Sequence, residues 1–151
     1  MSTVSNEMLS VFLADDDADD RLLFEEALME VNNEVKLTTA NNGELLLQSL
    51  DENTPPKPHL IFLDLNMPVK NGMECLEDLK KDDNYKDVPV VIFSTSCQQE
   101  AMDQVYKKGA NYYMCKPDNF QKLKQLLKHI LNFTSEDLLV RPTRENFYIA
   151  S

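Results

Sequence analysis

Four apolar runs each stop at a residue able to do chemistry: Val11 to Ala14 at Asp15-Asp16-Asp17, Leu60 to Leu63 at Asp64, Val90 to Phe93 at Ser94, and Tyr112 to Cys115 at Lys116. Carboxylates brought close together raise one another's pKa unless a cation lies among them. A hard divalent ion resolves that conflict. Mg2+ suits it best, because it takes one or two carboxylates, keeps several waters and binds phosphate oxygens. Phosphate chemistry follows, with Asp15 and Asp16 holding the metal. Lys116, the Ser94 hydroxyl and the Thr95 backbone would neutralise the oxygens of a transferring phosphoryl group. Asp64, alone at the end of its run, is the carboxylate placed to attack phosphorus and form an aspartyl phosphate.

For these residues to meet, the runs must be parallel strands whose C-terminal ends share one edge of an open α/β sheet. The chain has that rhythm. A strand near Ser10 to Ala14 precedes a helical pattern carrying Leu22, Leu23, Ala27, Leu28 and Val31. Val35 to Thr39 alternates as a strand does, and Asn41-Asn42-Gly43 turns into a helix with Leu45, Leu46, Leu47 and Leu50. The prolines of Thr54-Pro55-Pro56-Lys57-Pro58 make that stretch a connector. After the buried strand to Asp64, Asn66 to Gly72 reads as a loop and Met73, Leu76 and Leu79 as one helix face. Val88 to Phe93 is the fourth strand, and a helix from about Gln98 to Lys108 stops at Gly109. The fifth strand runs to Lys116, and Pro117 opens a last amphipathic helix with Phe120, Leu123, Leu127, Ile130 and Leu131. Five β-α units result, with residues 134–151 left as a tail.

Asp15-Asp16, Asp64-Leu65-Asn66-Met67-Pro68 with Gly72, Ser94-Thr95 and Lys116-Pro117 together resemble, in order and spacing, the receiver domain of two-component response regulators. The resemblance covers roughly residues 8 to 133. It implies a flavodoxin-like, doubly wound α/β fold with five helices and a five-stranded parallel sheet in the order 2-1-3-4-5, an order that comes from the resemblance and not from the residues. It also implies that Asp64 is the phosphoacceptor, Asp15 and Asp16 the acidic metal pair, and Asn66 the donor of a backbone carbonyl to Mg2+. Ser94 matches the switch hydroxyl, Lys116 the phosphate-contacting lysine and Tyr113 the aromatic switch residue. A sensor histidine kinase or phosphotransfer protein would donate the phosphoryl group, and the receiver would catalyse its own phosphorylation and dephosphorylation. The switched surface would then bind a downstream protein target. The tail is loosely similar to the extensions of single-domain receivers that partner phytochrome-like kinases. Two alternatives stay open for it: an ordered contact, in a homodimer or folded back, and disorder.

Composition narrows the field further. The chain has 151 residues and a formal net charge of -11, which suits one domain and argues against a nucleic-acid surface. Without a basic, apolar leader or an apolar stretch of about 18 residues, the expectation is a cytoplasmic protein with no membrane partner. Residues 134–151 are too few for an output domain, so a single-domain regulator is expected. Cys75, Cys97 and Cys115 have no zinc spacing and are expected to be ordinary reduced thiols, with redox sensing the minor reading. Asp19 and Asp20 read as an acidic first helical turn, and Asp17 as a helix cap. A calcium loop starting at Asp15 fails because Asp20 stands where glycine is required. An aspartate-nucleophile phosphatase would need an acid two residues after Asp64, where Asn66 stands. The remaining alternative is a receiver-shaped scaffold not regulated by phosphorylation.

Overall fold

The computed structural model describes residues 9–52, 58–133 and 140–150. Its elements alternate as β1 (Leu9–Ala14), α1 (Ala18–Val31), β2 (Val35–Ala40), α2 (Gly43–Glu52), β3 (Leu60–Leu63), α3 (Gly72–Lys81), β4 (Val90–Ser94), α4 (Gln99–Lys107), β5 (Tyr112–Cys115) and α5 (Phe120–Leu131). A short 3-10 turn at Arg144–Asn146 then leads into β6 (Tyr148–Ile149). All pairings are parallel, in the order β2-β1-β3-β4-β5-β6.

The expected order of the first five strands is observed, and the expected strand count is corrected from five to six. The sixth comes from the tail. Two residues are too short to show a period of two, so β6 carries no strand signal of its own. The fold-back alternative describes residues 140–150. Most of the Pro-rich connector lies outside the described residues.

The inner strands β1, β3, β4 and β5 are buried on both faces, as parallel strands covered by helices are, whereas the edge strands β2 and β6 are partly exposed. Phe12, Ile61, Leu63, Val90, Ile92 and Tyr113 point to one side and pack against α2, α3 and α4 through Leu46, Leu50, Leu76, Leu79, Met102 and Val105. Val11, Leu13, Phe62, Val91, Phe93 and Met114 point to the other and meet α1 and α5 through Phe24, Leu28, Leu123, Leu127 and Ile130. The tail joins both layers, Phe147 in the first and Ile149 in the second.

The inward stripe of α1 differs from the expected one. Phe24, Ala27 and Leu28 face the sheet, whereas Leu22 and Leu23 are 54% and 45% exposed. Leu22 and Leu23 sit roughly a third of a turn to either side of the Phe24-Leu28 line, so a run of three apolar residues left the stripe ambiguous at its start. Gly109 ends α4 with φ 102, the left-handed conformation anticipated for it. Among the described residues, no helix is long and apolar enough to cross a membrane.

Candidate functional site

The sheet delivers the polar residues by running its hydrogen-bond ladder one step past each strand. The Asp15 amide donates to the Ala40 carbonyl at 3.0 Å, the Asp64 amide to Ala14 at 3.0 Å, and the Lys116 amide to Ser94 at 2.8 Å. Asp15, Asp64 and Lys116 are therefore each pinned by a neighbouring strand, and their side chains converge beyond the central strands, where ligands of such sheets bind. Gly72 makes the turn after Asp64 possible. A Cβ there would press on the Asp64 carbonyl and lie 2.7 Å from Leu65 Cα.

Lys116 is the hub. Its ammonium lies 2.8 Å from Asp15 Oδ2, 2.8 Å from Asp20 Oδ2 and 3.1 Å from Asp64 Oδ2. Hydrogen bonds go to Asp20 and Asp64. The approach to Asp15 is close enough for an ion pair but off the hydrogen-bonding direction, which leaves Asp15 Oδ2 a buried oxygen without a directed donor. Burial lifts the Asp15 carboxyl to about 6, against the opposing pull of Lys116 and the Asp17 amide, with the charge of Asp64 adding to the rise. Burial draws the Lys116 ammonium down, but the carboxylates of Asp15, Asp20 and Asp64 close around it hold it above its ordinary value.

Asp15, Asp16 and Asp64 present carboxylate oxygens within 4.8 Å of one another, with Asp15 and Asp64 buried and Asp16 exposed. Three hard oxygen ligands, one of them buried and lacking a directed donor, fit a divalent cation of the Mg2+ or Mn2+ kind. Asn66 sits beside them, its amide 3.3 Å from Asp64 Oδ1. Ser94 is fully buried, and its hydroxyl accepts from the Ser96 amide at 3.1 Å. Thr95, the next residue, is exposed. Tyr113 is fully buried, and its hydroxyl donates to the Ser96 carbonyl in the loop after β4. Burial pushes that hydroxyl above its usual range, opposed by hydrogen bonding with Ser94 and Ser96.

Two features of the site escaped the sequence reading. Asp20 is more than a dipole partner: it stands one turn after Asp16 and reaches Lys116, and the i, i+4 spacing of the two aspartates was the available signal. Asp17 is the expected cap, accepting from the Asp20 amide, which is what aims Asp20. Phe147 packs its ring 6.1 Å from that of Tyr113 and accepts the Tyr113 amide on its carbonyl. The expectation of three free thiols is also corrected. Cys75 is free and buried, its thiol pushed up to about 12 by burial, while Cys97 and Cys115 are joined as a disulfide with Cα atoms 5.8 Å apart. The two lie 18 residues apart in the chain, and only the close pairing of β4 and β5 brings them together.

The family model of the response regulator receiver domain matches residues 11–128. The response regulator Rcp1 of Synechocystis sp. is 31% identical over 140 residues, covering 90% of this chain and 95% of its own. Among solved structures, the phosphorylated cyanobacterial phytochrome response regulator RcpA superposes with a TM-score of 0.75 at 32% identity, covering 89% of this chain and 96% of that one. The Mn2+-bound form of Rcp1 gives 0.74 at 29%, covering 89% and 99%.

Proposed function

We propose that this chain, which belongs to the response regulator receiver family, accepts a phosphoryl group on Asp64 and uses the new charge to switch its surface. The observation that carries this reading is the single ammonium of Lys116 drawn among Asp15, Asp20 and Asp64, beside a buried carboxylate oxygen that lacks a directed donor. Such a site is built to receive one more cation and an anionic group.

Asp15, Asp16 and the Asn66 carbonyl would hold Mg2+ together with Asp64. When bound, the ion would screen the carboxylates from each other and stabilise charge on the phosphoryl oxygens. An Asp64 oxygen attacks phosphorus as the bond to the donor breaks, and the electron pair leaves with the donor, the imidazole of a phosphohistidine or the acetate of acetyl phosphate. Lys116 turns from the carboxylates to a phosphoryl oxygen. Ser94 exchanges its bond from the Ser96 amide for one to the same group, and the Thr95 amide supplies another donor. Tyr113, bound to the Ser96 carbonyl, senses where that loop lies. The partners supported by this reading are a sensor histidine kinase or phosphotransfer protein upstream and a protein target downstream. On this reading residues 8–133 are the receiver and 134–151 an extension, of which Phe147 and Ile149 pack on the receiver.

Incubating the chain with Mg2+ and acetyl phosphate and weighing it intact tests the reading. A gain of one phosphoryl group is expected, lost with a chelator and in Asp64→Ala. No gain in the parent protein would support the scaffold alternative instead.

A further inference from the structure

We propose that Cys97 and Cys115 are a reversible oxidation site, whose disulfide clamps the loop after β4 onto the end of β5 and favours the arrangement that accepts a phosphoryl group. The inference rests on the phosphoacceptor reading of Asp64 for its consequence, though not for the cross-link itself.

The cross-link joins the two segments that frame the site. Cys97 lies in the β4–α4 loop, three residues past Ser94 and one past Ser96. Cys115 ends β5 between Tyr113 and Lys116, and it is the register partner of Ser94. Their Cα separation of 5.8 Å falls within the usual range for a disulfide. Cys97 is exposed and Cys115 partly so, which lets a small oxidant reach them, whereas Cys75 is buried on the inner side of α3.

The clamped loop carries Thr95 and Ser96, directly after Ser94 at the end of β4. With the disulfide closed, Tyr113 is fully buried and donates to the Ser96 carbonyl. Opening the link releases the loop at the residue next to that carbonyl, and the loop gains positions in which the Tyr113 bond to Ser96 and the Ser96 amide bond to Ser94 are lost. A ligand that needs the loop in place then binds more weakly, by the fraction of time the loop is elsewhere.

The chemistry balances with a peroxide as oxidant. One cysteine, as thiolate, attacks a peroxide oxygen; the O–O bond breaks and hydroxide leaves, giving a sulfenic acid. The second sulfur attacks the first, the S–O bond breaks and water leaves, so two thiols are oxidised while hydrogen peroxide becomes two waters. A dithiol reductant reverses the link by exchange.

The full chain, reduced with dithiothreitol or oxidised with hydrogen peroxide, is alkylated after unfolding and weighed to count thiols. The same preparations are titrated with beryllofluoride and Mg2+ by calorimetry. The proposal expects three free thiols falling to one on oxidation, and affinity on the order of tenfold higher in the oxidised form. Cys97→Ser should bind as the reduced protein does, with or without peroxide. An unchanged thiol count overturns the site, and a formed disulfide with unchanged affinity overturns the coupling. If neither form binds beryllofluoride while the thiol count still falls, the phosphoacceptor reading fails and takes the coupling with it, yet the cross-link stands.

Discussion

Replacing Asp15 with asparagine should make the metal-free protein more stable at neutral pH while removing its function. Asp15 is fully buried, and burial raises its carboxyl from 3.8 to about 6. A carboxyl whose folded pKa lies above its unfolded one binds its proton more tightly in the native state, so native stability falls as pH rises through that window. Between about pH 4 and 6 the loss accumulates, and at pH 7 a shift of about two units amounts to about 3 kcal/mol. Asparagine mimics the protonated form, and its carbonyl can still accept from the Asp17 amide as Asp15 Oδ1 does at 3.0 Å. Lys116 keeps Asp20 and Asp64. Asp15→Asn should therefore gain about 3 kcal/mol at pH 7, or roughly 6–12 °C in Tm for a chain of this size, and well under about 1 kcal/mol at pH 4. Denaturant unfolding at the two pH values with a chelator present measures the difference. Mg2+ should then stabilise the parent and leave the variant unmoved. A variant equal to or less stable than the parent at pH 7, or a gain independent of pH, would mean that the buried Asp15 charge does not cost the fold stability.

Gly72→Ala places a methyl against the Asp64 carbonyl and Leu65, so the loop must shift; a loss of about 1–3 kcal/mol in denaturant unfolding and slower phosphorylation by acetyl phosphate are expected. Phe147→Ala empties a fully buried position shared with Tyr106 and Tyr113 and should cost about 3 kcal/mol in the same assay, whereas a tail resting loosely on the sheet would show almost no change. Val69 sits at φ 67 in the loop after β3 and is 81% exposed, so Val69→Gly should relieve left-handed strain without losing packing and raise stability by about 0.5–1 kcal/mol.

What could be read from the residues was whatever a single segment announces. The apolar runs ending at Asp15, Asp64, Ser94 and Lys116 are strands, because buried parallel strands are short, β-rich and bounded by polar residues. Their convergence followed from the fact that parallel strands share one C-terminal edge. What stayed hidden depends on contacts between distant segments. Asp20 looked like a helix-terminal charge until α1 turned it toward Lys116. Cys97 and Cys115 are separated by the whole of α4, and nothing in their spacing marks them as neighbours. Tyr148–Ile149 is a strand only because β5 leaves an open edge for it, and Phe147 is core only because that pairing carries it under α4. Tyr113 is identified by its spacing from Lys116, but its burial and its bond to the Ser96 carbonyl required the fold.

The central claim is that Asp64 itself carries the phosphoryl group, and the most direct measurement locates the acyl phosphate in the chain. The protein is phosphorylated with acetyl phosphate and Mg2+, reduced with borohydride, digested and sequenced by mass spectrometry. Homoserine is expected at position 64 and at no other aspartate, and absent when Mg2+ is withheld. Homoserine at another aspartate, or none at all in a protein that has gained the mass of a phosphoryl group, would contradict that claim.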